Sequence, residues 1–230
     1  GGGGGARGGG GRFLRRRRRL GELVMADMLS ESEHHTVAAA IRAAEAMTAG
    51  EIRVVVTTQP LVRHPFYALM WAAFAALVLP WPLALFTAFS VPMLLSLQAI
   101  VFVLVGAVLL FTPLGPLVVP PSASRAAARG AAIDHFLAHG MHQTEARTGV
   151  LIMVALREHM VEVVADEGIH SRVGHEAWGN VCAAVLIGAR AGRLADGLSA
   201  GVAEAGRILA AHVPPQPGDS NELPDRVVII

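Results

Sequence analysis

Asp166 and Glu167 stand side by side at the end of a β-branched run, and Asp196 with Gly197 opens a later apolar periodic stretch. A pair of loop carboxylates joined by a third acid offers the hard oxygens that Ca2+ or another divalent cation requires. The same residues suit structural roles, with Asp166 and Asp196 as helix caps and Glu167-Gly168 as a turn. Glu51 can join such a site only if the strand order brings its end alongside. Arg147 and Thr148 precede an apolar run, and a planar guanidinium beside a hydroxyl is a phosphate-binding pair. As structure, Arg147 would pair with Glu145 or Asp166, and Thr148 would finish a turn. His135, His139 and His142 are spaced by four and three residues, one helical face if the helix continues. Zinc would need a further converging ligand there, and Gly140 is placed to break the helix before His142. Neither a Gly-x-Ser-x-Gly elbow, a phosphate-binding Gly-Lys loop nor a Cys-x-x-Cys pair occurs. Cys182, the single cysteine, lies among Val181, Ala183 and Val185 and reads as a small buried hydrophobe.

The elements that must position these residues follow from patterning. Ser30 or Ser32 caps a helix with Val37, Ile41, Ala44 and Met47 as its apolar positions and Gly50 as its stop. Glu51 to Thr57 then reads as a strand, alternating at its start. The segment from Ala123 to His139 reads as a helix with Ala127, Ile133, Phe136 and Leu137 inward. Gly149 to Leu156 is apolar on both faces, as a central strand should be. Met160 to Ala165 follows after a short polar link, predicting an antiparallel hairpin. A helix with Val173, Trp178, Val181, Val185 and Leu186 and another from Leu194 to His212 complete the order. The first two strands, joined through a helix, should be parallel with a right-handed crossover.

Apolar residues make up 53% of the 230-residue chain and charged residues 16%, against roughly 25% charged in ordinary soluble domains. The deficit is local. Between Arg63 and Arg125 there is no Asp, Glu, Lys or Arg, a silence of about 60 residues, three times one bilayer crossing. It divides into two arms, about 66–89 and 93–112, with Ser90, Val91 and Pro92 as the turn and Pro80-Trp81-Pro82 as a kink. Tyr67 and Trp71 stand where interfacial aromatics belong. Only Thr87, Ser96, Gln98 and Thr112 are polar within the arms, so the hairpin lacks the ionisable groups of a transporter and reads as an anchor. Arg53 and Arg63 before it, Arg125 and Arg129 after it, and an uncharged turn place both ends in the cytoplasm by the positive-inside rule.

The net charge of +1 has two opposed parts. Residues 1–29 form a Gly/Arg-rich tail expected to be disordered, either a lipid-binding extension or an over-extended gene start ahead of Met25 or Met28. The remainder is mildly acidic, so no nucleic-acid partner is expected.

Three strings together resemble the TPM domain family in its membrane-anchored bacterial branch. Ala43-Ala44-Glu45 to Val56 resembles the family's first helix and strand. His142 to Ile152, with Arg147-Thr148-Gly149-Val150-Leu151-Ile152, resembles its central strand, and Val163 to Ile169 with Trp178 downstream resembles its Ala-Asp-x-Gly-Ile segment. The tail string Asn221-Glu222-Leu223-Pro224-Asp225 also recurs in that branch. The resemblance implies a small α/β sandwich. It also brings an association with photosystem repair and acid phosphatase activity from a plant thylakoid relative, and a link between acidic residues and calcium. Those relatives are exported, whereas this chain places its domain in the cytoplasm.

The expected architecture is α/β: a small mixed-sheet sandwich flanked by helices, formed by residues 30–64 and 121–213. A transmembrane hairpin at 65–120 interrupts it, and residues 214–230 form a tail. The expected function is an inner-membrane, multi-pass, cytoplasmic-facing module. It is non-enzymatic and works on the lipid bilayer through contacts with membrane proteins or their assembly and repair factors. The alternative is a divalent-cation-dependent phosphatase using Asp166, Glu167, Asp196 and Arg147.

Overall fold

The computed structural model describes residues 29–215 and 226–230, apart from Arg63, Thr87, Phe89, Pro113, Glu145 and Ala146. Residues 1–28 of the Gly/Arg tail, Glu145, Thr87 and the Asn221 to Asp225 string therefore lie outside the described residues, while Leu29, placed in the tail from sequence, is buried in the core. The chain divides into two compact units, one formed by residues 1–59 with 130–230 and the other by residues 60–129.

In the first unit, α1 (Glu31–Glu45) starts at Ser30 through a capping box, the Ser30 hydroxyl facing the Glu33 N–H and the Glu33 carboxylate returning to the Ser30 N–H. This satisfies two of the N–H groups that every helix start leaves open. Val37, Ile41 and Ala44 are buried as their spacing predicts, but the helix ends at Glu45 and Met47 is 52% exposed. The stop precedes Gly50. Thr48 donates to Val213 O and accepts from Gly50 N–H, and these bonds hold residues 46–50 in a turn.

Four strands form one mixed sheet in the order β3-β2-β1-β4: β1 (Glu51–Thr57), β2 (Gly149–Ala155), β3 (Met160–Ala165) and β4 (Val227–Ile229). β1 and β2 run parallel from the Glu51–Gly149 pair, while β2 and β3 make the antiparallel hairpin expected from sequence. The apolar C-terminus, read from sequence only as a tail, is the parallel strand β4 on the free edge of β1. Three residues are too short to announce a strand, and only the open hydrogen-bonding edge of β1 makes them one.

Every residue of β1 and β2 is buried. On one face Ile52, Val54, Val150, Ile152 and Val163 join a continuous core with Val37 and Ile41 of α1, Val181 and Val185 of α7 (Trp178–Arg190), and Leu198 and Val202 of α8 (Leu194–His212). Burying each such aliphatic side chain contributes about 1.5–3 kcal/mol. Close helix approach depends on glycine: a Cβ on Gly197 of α8 would lie 2.8 Å from Val185 O, and one on Gly206 would lie 2.6 Å from Ala44 Cβ. The second face carries Glu51, Arg53, Val55, Leu151 and Met153, all buried. On α5 (Pro121–Ala138) the buried residues are Ala128, Ala132 and Phe136, while Ile133 and Leu137 are 40% and 52% exposed. Phe136 is inward as its position predicts, but the rest of the stripe is Ala128 and Ala132 rather than Ile133 and Leu137. Cβ-sized side chains let a helix lie close to its neighbour, and volume alone does not show that.

The second unit contains α2 (His64–Val78), α3 (Pro80–Phe86) and α4 (Val91–Phe111). Among the described residues two stretches are long and apolar enough to cross a membrane, His64–Pro82 and Val91–Phe111. The 21 residues of α4 span about 31 Å, the thickness of a bilayer's hydrocarbon core. The Pro80-Trp81-Pro82 cluster makes a helix break at Leu79 rather than a kink, since proline removes an N–H and crowds the preceding turn. Ser90 occupies the N-cap position of α4 without a side-chain capping bond, and Val91-Pro92 form its first turn instead of the interhelical turn. Ala68, Ala72 and Ala76 are the buried stripe of α2, and a Cβ on Gly106 of α4 would meet Ala72 Cβ at 3.7 Å. Small residues of this kind let apolar helices approach closely. Ser96 and Thr112 donate back to Pro92 O and Val108 O, so their hydroxyls are satisfied within the helix. Phe66, Phe74, Leu77, Leu95, Val103 and Leu104 are exposed.

Candidate functional site

The mixed sheet brings the start of β1, the start of β2 and the end of β3 to one end of the first unit. Asp166 follows β3 and extends the ladder, its N–H donating to Gly149 O at 2.9 Å. Its side chain caps the four-residue α6 (Glu167–His170) by accepting from Glu167 N–H at 2.7 Å. The second carboxylate oxygen faces Arg147 Nε at 3.4 Å, and Asp166 is 6% exposed against 57% for Arg147. Arg147 has φ +55°, a left-handed conformation that L-residues adopt at a cost. Two backbone bonds hold it there, Arg147 N–H to Thr144 O and Gly168 N–H to Arg147 O. The structure thus joins Arg147 to Asp166, one of the two partners its sequence position suggests.

Thr148 is buried, and its hydroxyl donates to Ala49 O at 2.8 Å. The bond staples the turn before β1 to the start of β2 and commits the hydroxyl to backbone. Glu167 is exposed in the first turn of α6. Asp196 lies in the first turn of α8, where Arg193 and not Asp196 occupies the cap position. It pairs at 3.6 Å with Arg193, and both side chains are largely exposed. Such a surface pair contributes about 0–1 kcal/mol. Glu51 is buried at the same sheet end as Asp166 but two strands away, about 10 Å across the ladder. Among the described residues no group of three His, Cys, Asp or Glu side chains is placed to hold a metal ion.

His135 and His139 stack with centroids 5.9 Å apart. Gly140 has φ +70° and ends the helix, so His142 falls in a separate 3-10 turn, as its sequence position predicts. His139 is held below the ordinary imidazole range, chiefly by burial and then by the positive charges of Arg53, His135 and Arg226. Burial raises the Cys182 thiol, with Glu162 adding to the effect, so thiolate chemistry is disfavoured there.

Sequence reasoning missed the charged patch on the second face of β1. Glu51 and Arg53 are both buried in a strand enclosed on both faces. Burial and the neighbouring Arg226 lower the proton affinity of Arg53, while Glu45 and Glu51 oppose that shift. Glu45 in turn accepts from Ile52 N–H at 2.8 Å. The signal was present: Glu51 and Arg53 are two residues apart and share a face, opposite Ile52, Val54 and Val56. What the sequence did not show was that this charged face is covered.

The arrangement defines a class, an α/β domain whose four-stranded mixed sheet is flanked by helices and carries an arginine-paired aspartate at one end. Residues 117–208 match the family model of the TPM domain. The matched segment runs from just before α5 through most of α8, and α1 and β1 precede it in sequence. The fold is similar to the NMR structure of BA42 protein from the psychrophilic bacterium Bizionia argentinensis, with a TM-score of 0.55 and 21% identity over 88% of this chain and 95% of that one. At that identity the likeness concerns the fold. Comparison with the curated proteins gives no match.

Proposed function

We propose that the protein is a membrane-anchored TPM module that works by contact with other membrane proteins or their assembly and repair factors, without catalysis of its own. One observation carries the reading: α2 and α4 pack through alanine and glycine and leave large apolar side chains on their outer surfaces. Such surfaces suit lipid or other membrane helices. The charge pattern supports a multi-pass topology in the inner membrane, with Arg53, Arg63, Arg125 and Arg129 flanking the hairpin and the TPM domain in the cytoplasm. The site supports a non-catalytic reading, since Asp166 is engaged by Arg147 and by a helix cap, Thr148 by Ala49, and Asp196 by Arg193.

Two measurements test this. The protein should resist carbonate extraction from membranes, and a reporter fused after Ile230 should be active in the cytoplasm; periplasmic activity would overturn the topology. Phosphate-ester turnover with calcium present should stay at background for both wild type and Asp166→Ala. Turnover that is present in wild type and lost in Asp166→Ala would establish the phosphatase instead.

A further inference from the structure

At the opposite end of β2 from Arg147, the β2–β3 hairpin and the last turns of α7 enclose a cleft of about 330 Å³. That volume lies in the range of small-molecule sites, roughly 300–1,000 Å³. Val154, Leu156, Met160 and Leu186 make its walls, and the polar groups at its margin are His159 and Arg190. Among the described residues no Asp or Glu lines it. We propose that this cleft binds a medium-chain fatty acid, with the aliphatic chain against Leu156, Met160 and Leu186 and the carboxylate held by Arg190 and His159.

Three observations support this. First, the chemistry is segregated: apolar walls reward a hydrocarbon chain, and the charged lining group among the described residues is the Arg190 cation, whose planar fork suits a carboxylate. A bare phosphate would leave the walls unused. Second, Arg190 is exposed and has no ion-pair or hydrogen-bond partner among the described residues, whereas Arg147, Arg193 and Arg207 are paired to Asp166, Asp196 and Glu204. The carbonyls that end α7 do not face the cleft unmet, since Ile187, Gly188 and Ala189 accept from Ala191, Gly192 and Arg193. Third, His159 closes the hairpin turn with its N–H on Leu156 O and has φ +53°. Glycine or asparagine takes that conformation with least strain. A histidine there adds an imidazole-bearing residue to the lining of the cleft at the expense of the backbone, and such strained positions gather at binding sites.

The test is photolabelling of the full chain in lipid nanodiscs with a diazirine-bearing decanoic acid, in parallel with the matching diazirine decanol. Adducts should map to residues 154–160 and 186–190 with the acid and not the alcohol, and unlabelled decanoate should compete. Arg190→Gln, a surface change, should cut labelling at least fivefold with the melting temperature unchanged. His159→Gly should lower labelling while raising the melting temperature, a pair of effects that misfolding cannot produce. Equal labelling by the alcohol, adducts confined to residues 64–111, or no loss in Arg190→Gln would overturn the proposal. Competition by a peptide with an apolar C-terminal residue, but not by decanoate, would overturn it in favour of a protein ligand.

Discussion

Replacing Arg147 separates two energies that the structure superimposes on one residue. Its left-handed backbone costs about 1 kcal/mol relative to glycine. Its side chain meets the buried Asp166 carboxylate at 3.4 Å. Coulomb's law at that distance, with an effective dielectric of about 20, gives about 5 kcal/mol before desolvation. The guanidinium is 57% exposed, so screening and side-chain entropy reduce the net coupling to about 1–2 kcal/mol. Arg147→Ala loses the pair and keeps the strain, and should destabilise by about 1–2 kcal/mol. Arg147→Gly loses the pair and relieves the backbone, so its net cost should be about 0–1 kcal/mol. Asp166→Asn keeps the cap to Glu167 N–H and removes the charge, which completes a double-mutant cycle with Arg147→Ala. The assay is urea unfolding of the detergent-solubilised protein, followed by Trp178 fluorescence with Trp71 and Trp81 changed to Phe; Trp178 is buried in the core. If Ala and Gly at position 147 agree to within about 0.3 kcal/mol, the strain argument fails. If the cycle gives a coupling below about 0.3 kcal/mol, Asp166 is held by its cap alone and Arg147 is free for a ligand, which weakens the non-catalytic reading.

Gly206→Ala should lower stability by about 1–2 kcal/mol, because its Cβ would stand 2.6 Å from Ala44 Cβ and the overlap outweighs the gain in helix propensity; an unchanged urea midpoint would show that α1 and α8 can separate freely. His139 titrates below its ordinary value of 6.5 in the folded state, so between the two values the unfolded chain binds more protons. The stability linked to it is therefore complete above about pH 6.5 and is lost as pH falls through the folded value. Unfolding free energy measured from pH 7.5 to 5 should fall, and His139→Gln should flatten the slope; an equal slope in the variant would assign the acid sensitivity to another group.

Much of this protein is legible in its amino-acid order, because the relevant signals are local. A 3.6-residue period with Ser30 and Glu33 at its head specifies α1, and a fully apolar run from Gly149 specifies an enclosed central strand. A long absence of charge specifies two apolar helices whatever surrounds them. The candidate site was legible as residue types, and the Arg147–Asp166 pair was one of two options that sequence separation allowed.

Only the tertiary structure decided the rest, since these features arise where distant segments meet. Strand order sets Glu51 two strands from Asp166, and the open edge of β1 turns the three residues Val227–Ile229 into β4. Packing picks Ala128 and Ala132 over Ile133 and Leu137 to accompany Phe136 on the inner face of α5. Asp196 turns outward to Arg193 because Ala195, Gly197 and Leu198 of the same turn are needed in the core. The cleft between the hairpin and α7 has no sequence signature at all: its walls come from residues 154–160 and 186–190, and only the packing of α7 against the β2–β3 hairpin sets them side by side.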